Sequence, residues 1–266
     1  ALALTDLANL FGMVKFYSGA RGRGVKPIVG CDVWVAPAAA GEGERDRPAR
    51  LLLLVKHHGG YLRLCELLTQ AYFGPRSRGR AEISRAAVAN GDNSGLIALS
   101  GAALGDVGQS LLMGSNAQAE AAACEWARLF PDSFYIELQR YGQPQAEQLV
   151  AASVALAARL NLPVVATHPV QFLERDDFRA HEARVCIAEG YVLADPRRPK
   201  QFTEEQYFKT QAEMQALFAD LPEALENSVE IARRCNLSVE LGKNQLPQFP
   251  VPEGVTLDDY LTQQAE

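Results

Sequence analysis

Ala1-Leu-Ala-Leu-Thr-Asp-Leu-Ala-Asn-Leu-Phe-Gly12 opens the chain, and its reading decides the fold class. Four apolar residues in a row, Ala1–Leu4, predict a strand covered on both faces. Thr5 or Asp6 can cap a following helix, whose apolar positions Leu7, Leu10, Phe11, Met13 and Val14 keep helical spacing. In α/β proteins the C-terminal strand ends carry the chemistry, so Asp6 points into the expected active region. Beside it, where an imidazole would be well placed to bind a metal, stands Leu7.

Strands and helices then alternate. Lys26–Val35 reads as a strand entered through a glycine-rich turn, Gly19–Gly24, and Arg50–Lys56 as the next, with a flexible loop over Pro37–Pro48 between them. Helices are expected over Gly60–Tyr72, Ile83–Asn90, Ala117–Phe130 and Gln145–Leu160, and strands over Leu96–Ser100, Ser133–Gln139 and Pro163–Thr167. This order, without a long run of hairpins, favours a parallel α/β sheet or barrel. From about Asp176 the pattern turns mostly helical: Asp177–Ile187, Gln211–Phe218 and Glu223–Cys235. Residues 1–240 read as the barrel with its helices, and 241–266 as a proline-rich linker followed by a newly capped segment at Thr256. An apolar run already under way at Ala1 and an unfinished pattern at Glu266 are read as a piece of a longer protein lacking at least one N-terminal strand.

Composition narrows the function. With 266 residues the chain can bury a full core. Its longest aliphatic stretch, Leu51–Val55, is far too short to span a bilayer. A net charge of −6 argues against a nucleic-acid surface in its own right. Two basic clusters run against that average: Arg76, Arg78, Arg80 and Arg85, and then Arg197, Arg198 and Lys200. They read as solvated loop charge, with Arg76, Arg78 and Arg80 the alternative edge for DNA or an acidic partner. Cys31, Cys65, Cys124, Cys186 and Cys235 are scattered and form no CxxC pair, so core thiols in a reducing cytoplasm are expected.

The strand-end residues carry a resemblance. Ala3-Leu-Thr-Asp-Leu-Ala-Asn-Leu-Phe-Gly12, Val25-Lys-Pro-Ile-Val-Gly30, Leu96-Ile-Ala-Leu-Ser-Gly101, Pro163-Val-Val-Ala-Thr167, Ala180-His-Glu182, Asn227-Ser-Val-Glu-Ile-Ala232 and Leu246-Pro-Gln-Phe-Pro250 occur in order across nearly the whole chain. Each is weak alone; together they resemble the PHP (polymerase and histidinol phosphatase) domain, in the form that stands at the front of bacterial DNA polymerase III alpha subunits. That resemblance implies a distorted seven-stranded (β/α) barrel, here lacking its first strand, whose mouth in intact members holds divalent metals on histidines, acids and sometimes a cysteine.

This chain departs from the family pattern at its ligands. Thr5-Asp6-Leu7 replaces Thr-Asp-His, Asp32 stands for a glutamate, and Arg50 for a histidine. Ser100-Gly101-Ala102 replaces Ser-Gly-Cys, and Pro169-Val170-Gln171 replaces Asp-x-His. Leu, Ala and Pro side chains have no donor atom, and a guanidinium puts a fixed positive charge where a cation would sit. A metal-free, catalytically silent domain without a cofactor is therefore expected, with Arg50 in the vacated site paired to Asp32 or Asp6. Asp6 is expected to cap its helix rather than act as a base. His57-His58 reads as an exposed turn, His168 as a solvent-facing or hydrogen-bonded residue at the mouth, and His181 as a structural position of the family.

The resemblance implies a scaffold for the polymerase domains downstream in the same chain and a docking surface for a separate proofreading exonuclease, with DNA reached only through the rest of the polymerase and no membrane partner. A metal-dependent phosphoesterase, acting as 3′–5′ exonuclease or pyrophosphatase, is the competing reading, and a free-standing phosphatase of the same superfamily is a third. The missing ligands oppose the second. The Leu246–Pro250 junction opposes the third.

Overall fold

The computed structural model describes residues 1–37, 48–74, 79–244 and 249–266. Seven strands are seen among them: β1 (Leu2–Leu4), β2 (Pro27–Val35), β3 (Ala49–Val55), β4 (Glu82–Ile83), β5 (Leu96–Leu99), β6 (Phe134–Gln139) and β7 (Val164–Thr167). They form one sheet in the order β1-β2-β3-β5-β6-β7, with β4 beside β2. The sheet curls into a half-barrel, as expected for a barrel of the PHP type. It is not all parallel. β3 runs antiparallel to both β2 and β5, whereas β1–β2, β5–β6 and β6–β7 are parallel. Pairing of strands separated by a long connection leaves no periodicity to read. The reversal has a consequence for the site: Arg50, near the start of β3, lies at the same end of the sheet as the C-terminal ends of its neighbours β2 and β5.

The helices are α1 (Met13–Gly22), α2 (His58–Phe73), α3 (Arg85–Ala89), α4 (Asp106–Leu112), α5 (Asn116–Leu129), α6 (Ala146–Leu160), α7 (Phe178–Glu189), α8 (Gln211–Leu217), α9 (Pro222–Arg234) and α10 (Leu257–Ala265). Most match the expected segments to within a few residues. Ile83 belongs to a short strand, and Ser84 caps α3 by accepting from the Ala87 amide at 3.0 Å. α4 lies in a stretch the sequence reading left unassigned, and Thr256 caps α10 as expected.

The N-terminal region corrects two expectations. Leu2–Leu4 is exposed or half-buried, because among the described residues β1 has a neighbouring strand, β2, on one side only. The first helix starts at Met13 rather than after Asp6. Residues 6–8 lie against β2 instead: Asp32 N donates to Asp6 O at 3.1 Å and Ala8 N donates to Asp32 O at 2.7 Å. Asn9 then turns the chain, its Oδ1 accepting from the Phe11 amide. α1 runs on through Gly19 to Gly22, so the expected turn narrows to the residues after it, and it buries Met13 and Tyr17, one turn apart.

Alternation along the strands separates two cores. One face carries Val29, Cys31, Val33, Leu51, Leu53, Val55 and Ile136 against the helices, with Leu64, Leu67, Trp126 and Phe130 fully buried over it. Trp126 keeps its indole N–H satisfied, donating to Asp106 Oδ2 at 2.9 Å. The other face carries Ile28, Leu54, Ile97, Leu99, Tyr135 and Val165, closed over by Ile231 and Cys235 of α9. Asn227 ties α9 to β7 through a 2.8 Å bond to Val164 O. Of the five cysteines Cys31, Cys186 and Cys235 are buried, Cys65 is half-buried, and Cys124 is exposed on α5, contrary to expectation. Burial pushes the Cys31 thiol up to about 12 and the Cys235 thiol up to about 11, which keeps both as inert core thiols.

Candidate functional site

Following the inner face along each strand toward the mouth, apolar residues give way to polar ones at period two. Ile28 and Gly30 lead to Asp32, Leu54 and Leu52 to Arg50, Tyr135 to Glu137 and Gln139, and Val165 to Thr167. Arg50 is diagonal to Asp32 across the β2–β3 ladder, which pairs Leu52 with Asp32 and Arg50 with Trp34. Its Nε donates to Asp32 Oδ1 at 2.7 Å and a terminal nitrogen donates to Oδ2, so both carboxylate oxygens are engaged. Its guanidinium also stacks over the Trp34 ring, 4.9 Å from the centroid. Burial pushes the Asp32 carboxyl up, and Arg50 pulls it part of the way back.

Glycine at 101 is required for this arrangement. Its φ of +77° is left-handed, and a Cβ there would lie 2.4 Å from Arg50 O. The chain turns at Gly101 into a short 3-10 segment starting at the buried Ala102.

Glu137 is a residue the sequence reading missed. Its carboxylate accepts from the Thr167 hydroxyl and from Gln139 Nε2, and its amide donates to Ser100 Oγ at 2.9 Å. Burial holds its carboxyl above the usual carboxylate range, and the Asp32 charge adds to that. The available signal was a carboxylate inside the otherwise apolar run Phe134–Leu138, all of which is buried. Beside it a cavity of about 400 Å³ opens, lined by Ala102, Leu112, Glu137, Tyr141, Leu149 and Val150 among others.

The remaining positions are as follows. Asp6 caps no helix; it contributes its carbonyl to the β2 contact. Leu7 is exposed and bridged to Asp32. Pro169 and Gln171 lie in the loop after β7, tied to Gln206 through Pro169 O and Gln171 N. His168 is half-buried and takes the hydrogen-bonded alternative: Glu205 O lies 2.8 Å from its Nε2, which makes Nε2 the protonated nitrogen. Burial lowers its basicity. His181 is buried against Phe172 and Phe202.

The donor set does not fit a metal cluster. Among the described residues no three His, Cys, Asp or Glu side chains lie together in a metal-holding group. Arg50 covers Asp32, Thr167 and Gln139 occupy an oxygen of Glu137, and Leu7 and Ala102 offer nothing.

The basic clusters are largely neutralised where they are described. Arg80 pairs with Glu82 at 3.1 Å and stacks over Trp34. Arg76 and Arg78 lie outside the described residues. Arg85 is held by Asp106 and Glu125, Arg197 by Asp195, and Arg198 by Glu182.

The half-barrel with its polar mouth defines the class, and comparison with known proteins agrees: residues 1–141 match the PHP domain model, and the chain belongs to the PHP domain family. Within it the chain is similar to the N-terminal region of DNA polymerase III subunit alpha. It is 55% identical to that of Neisseria meningitidis serogroup A over 263 residues, 98% of this chain and 23% of the relative. It is 49% identical to that of Pseudomonas aeruginosa over 262 residues, 98% of this chain and 22% of the relative. It is 44% identical to that of Escherichia coli K12 over 271 residues, 100% of this chain and 22% of the relative. The chain thus spans less than a quarter of the length of the curated relatives it matches.

Proposed function

We propose that this chain is a metal-free, catalytically silent PHP domain that scaffolds a replicative DNA polymerase in the cytoplasm. The observation that carries the reading is Arg50 on Asp32: a fixed guanidinium occupies both oxygens of a carboxylate at the position where family members place a metal ligand. A buried charge is tolerated when paired, so an internal cation can replace a bound one in holding the mouth together. Similarity to the alpha subunits supports polymerase domains of the same chain, beyond residues 241–266, as one partner. A separate proofreading exonuclease is the second partner, since a polymerase whose own phosphoesterase site is lost gains from a nuclease held beside it.

Two measurements test this. Elemental analysis after dialysis is expected to find no stoichiometric zinc, manganese or iron; two or three transition metals per chain overturn the silent site. Co-purification with the cognate exonuclease is expected, with on the order of 1,200–2,000 Å² buried in a stable contact. No complex at micromolar concentration and low salt, while the longer polymerase subunit does bind, places docking elsewhere.

A further inference from the structure

The inner face has a second polar end, opposite the mouth. Continuing the same period two toward the base of the sheet, Ile28 leads back to Lys26, Leu54 leads on to Lys56, and Tyr135 leads back to Ser133. The base is closed by the C-terminal turn of α9, which brings Arg234. Lys56 Nζ donates to Ser133 Oγ at 3.2 Å, and Arg234 donates to the same oxygen and to the Tyr135 hydroxyl, both at 2.8 Å. Lys26 Nζ donates to Ala232 O at 2.6 Å and to Asn236 Oδ1 at 2.9 Å, while the Asn236 amide donates to Lys56 O at 2.6 Å. Three cations therefore gather around the C-terminal turn of α9: Arg234 belongs to it, Lys26 bonds to Ala232 and Asn236, and Lys56 shares Ser133 with Arg234.

No carboxylate forms an ion pair with them among the described residues. Among the described residues none of Lys26, Lys56 and Arg234 is within 4.0 Å of an acidic group, whereas the arginines at 50, 80, 85, 140, 175, 197 and 198 all are. The acceptors they do have are neutral, and the C-terminus of α9 supplies only about half a negative charge. Against three full positive charges that leaves a clear excess. Burial and the Arg234 charge both lower the basicity of Lys56, and the more weakly acting Asp92 charge offsets them only in part. Each cation still has unused donor hydrogens, since an ammonium has three and a guanidinium five. All three side chains are half-buried, and Asn236 is exposed, so small solutes reach them from solvent.

We propose that the base of the half-barrel is a binding site for a phosphoryl oxyanion, held by Lys26, Lys56 and Arg234 with the Ser133 hydroxyl. A phosphate fits better than a carboxylate. It carries up to two charges and presents oxygens in several directions, matching donors that approach from β2, β3 and α9. The source is free phosphate or the terminal phosphate of a nucleotide. The site lies at the opposite end of the strands from Asp32 and Arg50, and stands whether or not the mouth is silent.

The test is titration of the full chain with inorganic phosphate and, separately, with a nucleoside triphosphate, at ionic strength held constant with chloride. Saturable binding is expected, with the amide resonances of Ser133, Arg234 and Asn236 moving together. A triphosphate tighter than phosphate by about tenfold identifies a nucleotide source, and equal affinities identify free phosphate. Lys56→Met and Arg234→Met are each expected to weaken binding about tenfold, and Lys56→Arg to keep it within about threefold. Should the Met variants fail to fold, the resonance shifts of the unaltered chain and of Lys56→Arg decide. No saturable response to either anion, shifts confined to other regions, or folded Met variants that bind as the parent does would each overturn the site.

Discussion

Arg50 reaches diagonally across the β2–β3 ladder to hold both oxygens of Asp32, and the same guanidinium lies over Trp34. The side chains are 16% and 24% exposed, so water screens the pair only in part. Arg50→Ala leaves a largely buried carboxylate unpaired and is expected to cost about 1–3 kcal/mol. Urea denaturation of Arg50→Ala, Asp32→Asn and the double variant checks this. The double variant should recover part of the Arg50→Ala loss, and strict additivity would show that the two side chains are not energetically coupled.

Gly101 sits directly behind this pair. Alanine there meets a left-handed φ of +77° and a Cβ 2.4 Å from Arg50 O. Gly101→Ala is expected to destabilise by about 1–3 kcal/mol, seen as a lower thermal midpoint. A midpoint unchanged within a degree or so would mean that the turn relaxes freely.

Glu137 makes stability depend on pH in a defined direction. Its folded pKa lies above the unfolded value of about 4.3, so the folded state binds more protons than the unfolded state between the two. Stability held below the unfolded value is therefore lost as pH rises through the folded one. Glu137→Gln keeps an acceptor for Thr167 and removes the charge, so its stability should be flatter over that window. Denaturant midpoints at a series of pH values measure it, and an unchanged slope would place the pH dependence on other groups.

His181 acts in the opposite sense. Arg184 donates to its Nδ1 at 3.2 Å, Nε2 is buried without a partner among the described residues, and burial lowers its basicity. The unfolded chain therefore takes up a proton below about pH 6.5 before the folded state does, and stability falls as pH drops from there through the folded value. His181→Phe, placed against Phe172 and Phe202, should reduce that acid-side loss. A variant that loses stability with acid as steeply as the parent would remove His181 from the account.

Much of the architecture was legible locally. Helices such as α2, α5 and α6 show their apolar stripes within a few turns, Thr256 announces α10, and the runs Pro27–Val35 and Leu96–Leu99 are continuous enough to be buried strands. That Leu7 and Ala102 offer no donor atom and Arg50 a fixed charge was also legible, because donor chemistry belongs to the side chain and needs no partner to be judged. The start of α1 was not. The spacing of Leu7, Leu10 and Phe11 suits a helix, but backbone bonds from Asp6 and Ala8 to Asp32, 24 or more residues away, hold that segment against β2.

The sequence by itself determined which chemistry this chain can offer and roughly where its helices and strands lie, since residue type and periodicity are properties of neighbours along the chain. Tertiary structure decided the rest. The reversal of β3 sets Arg50 at the mouth and Lys56 at the base, the β6–β7 pairing turns Glu137 toward Thr167, and α9 carries Arg234 to Ser133. Each of these joins residues tens of positions apart, and no local pattern encodes a contact made only when separate strands pair and a distant helix closes over them.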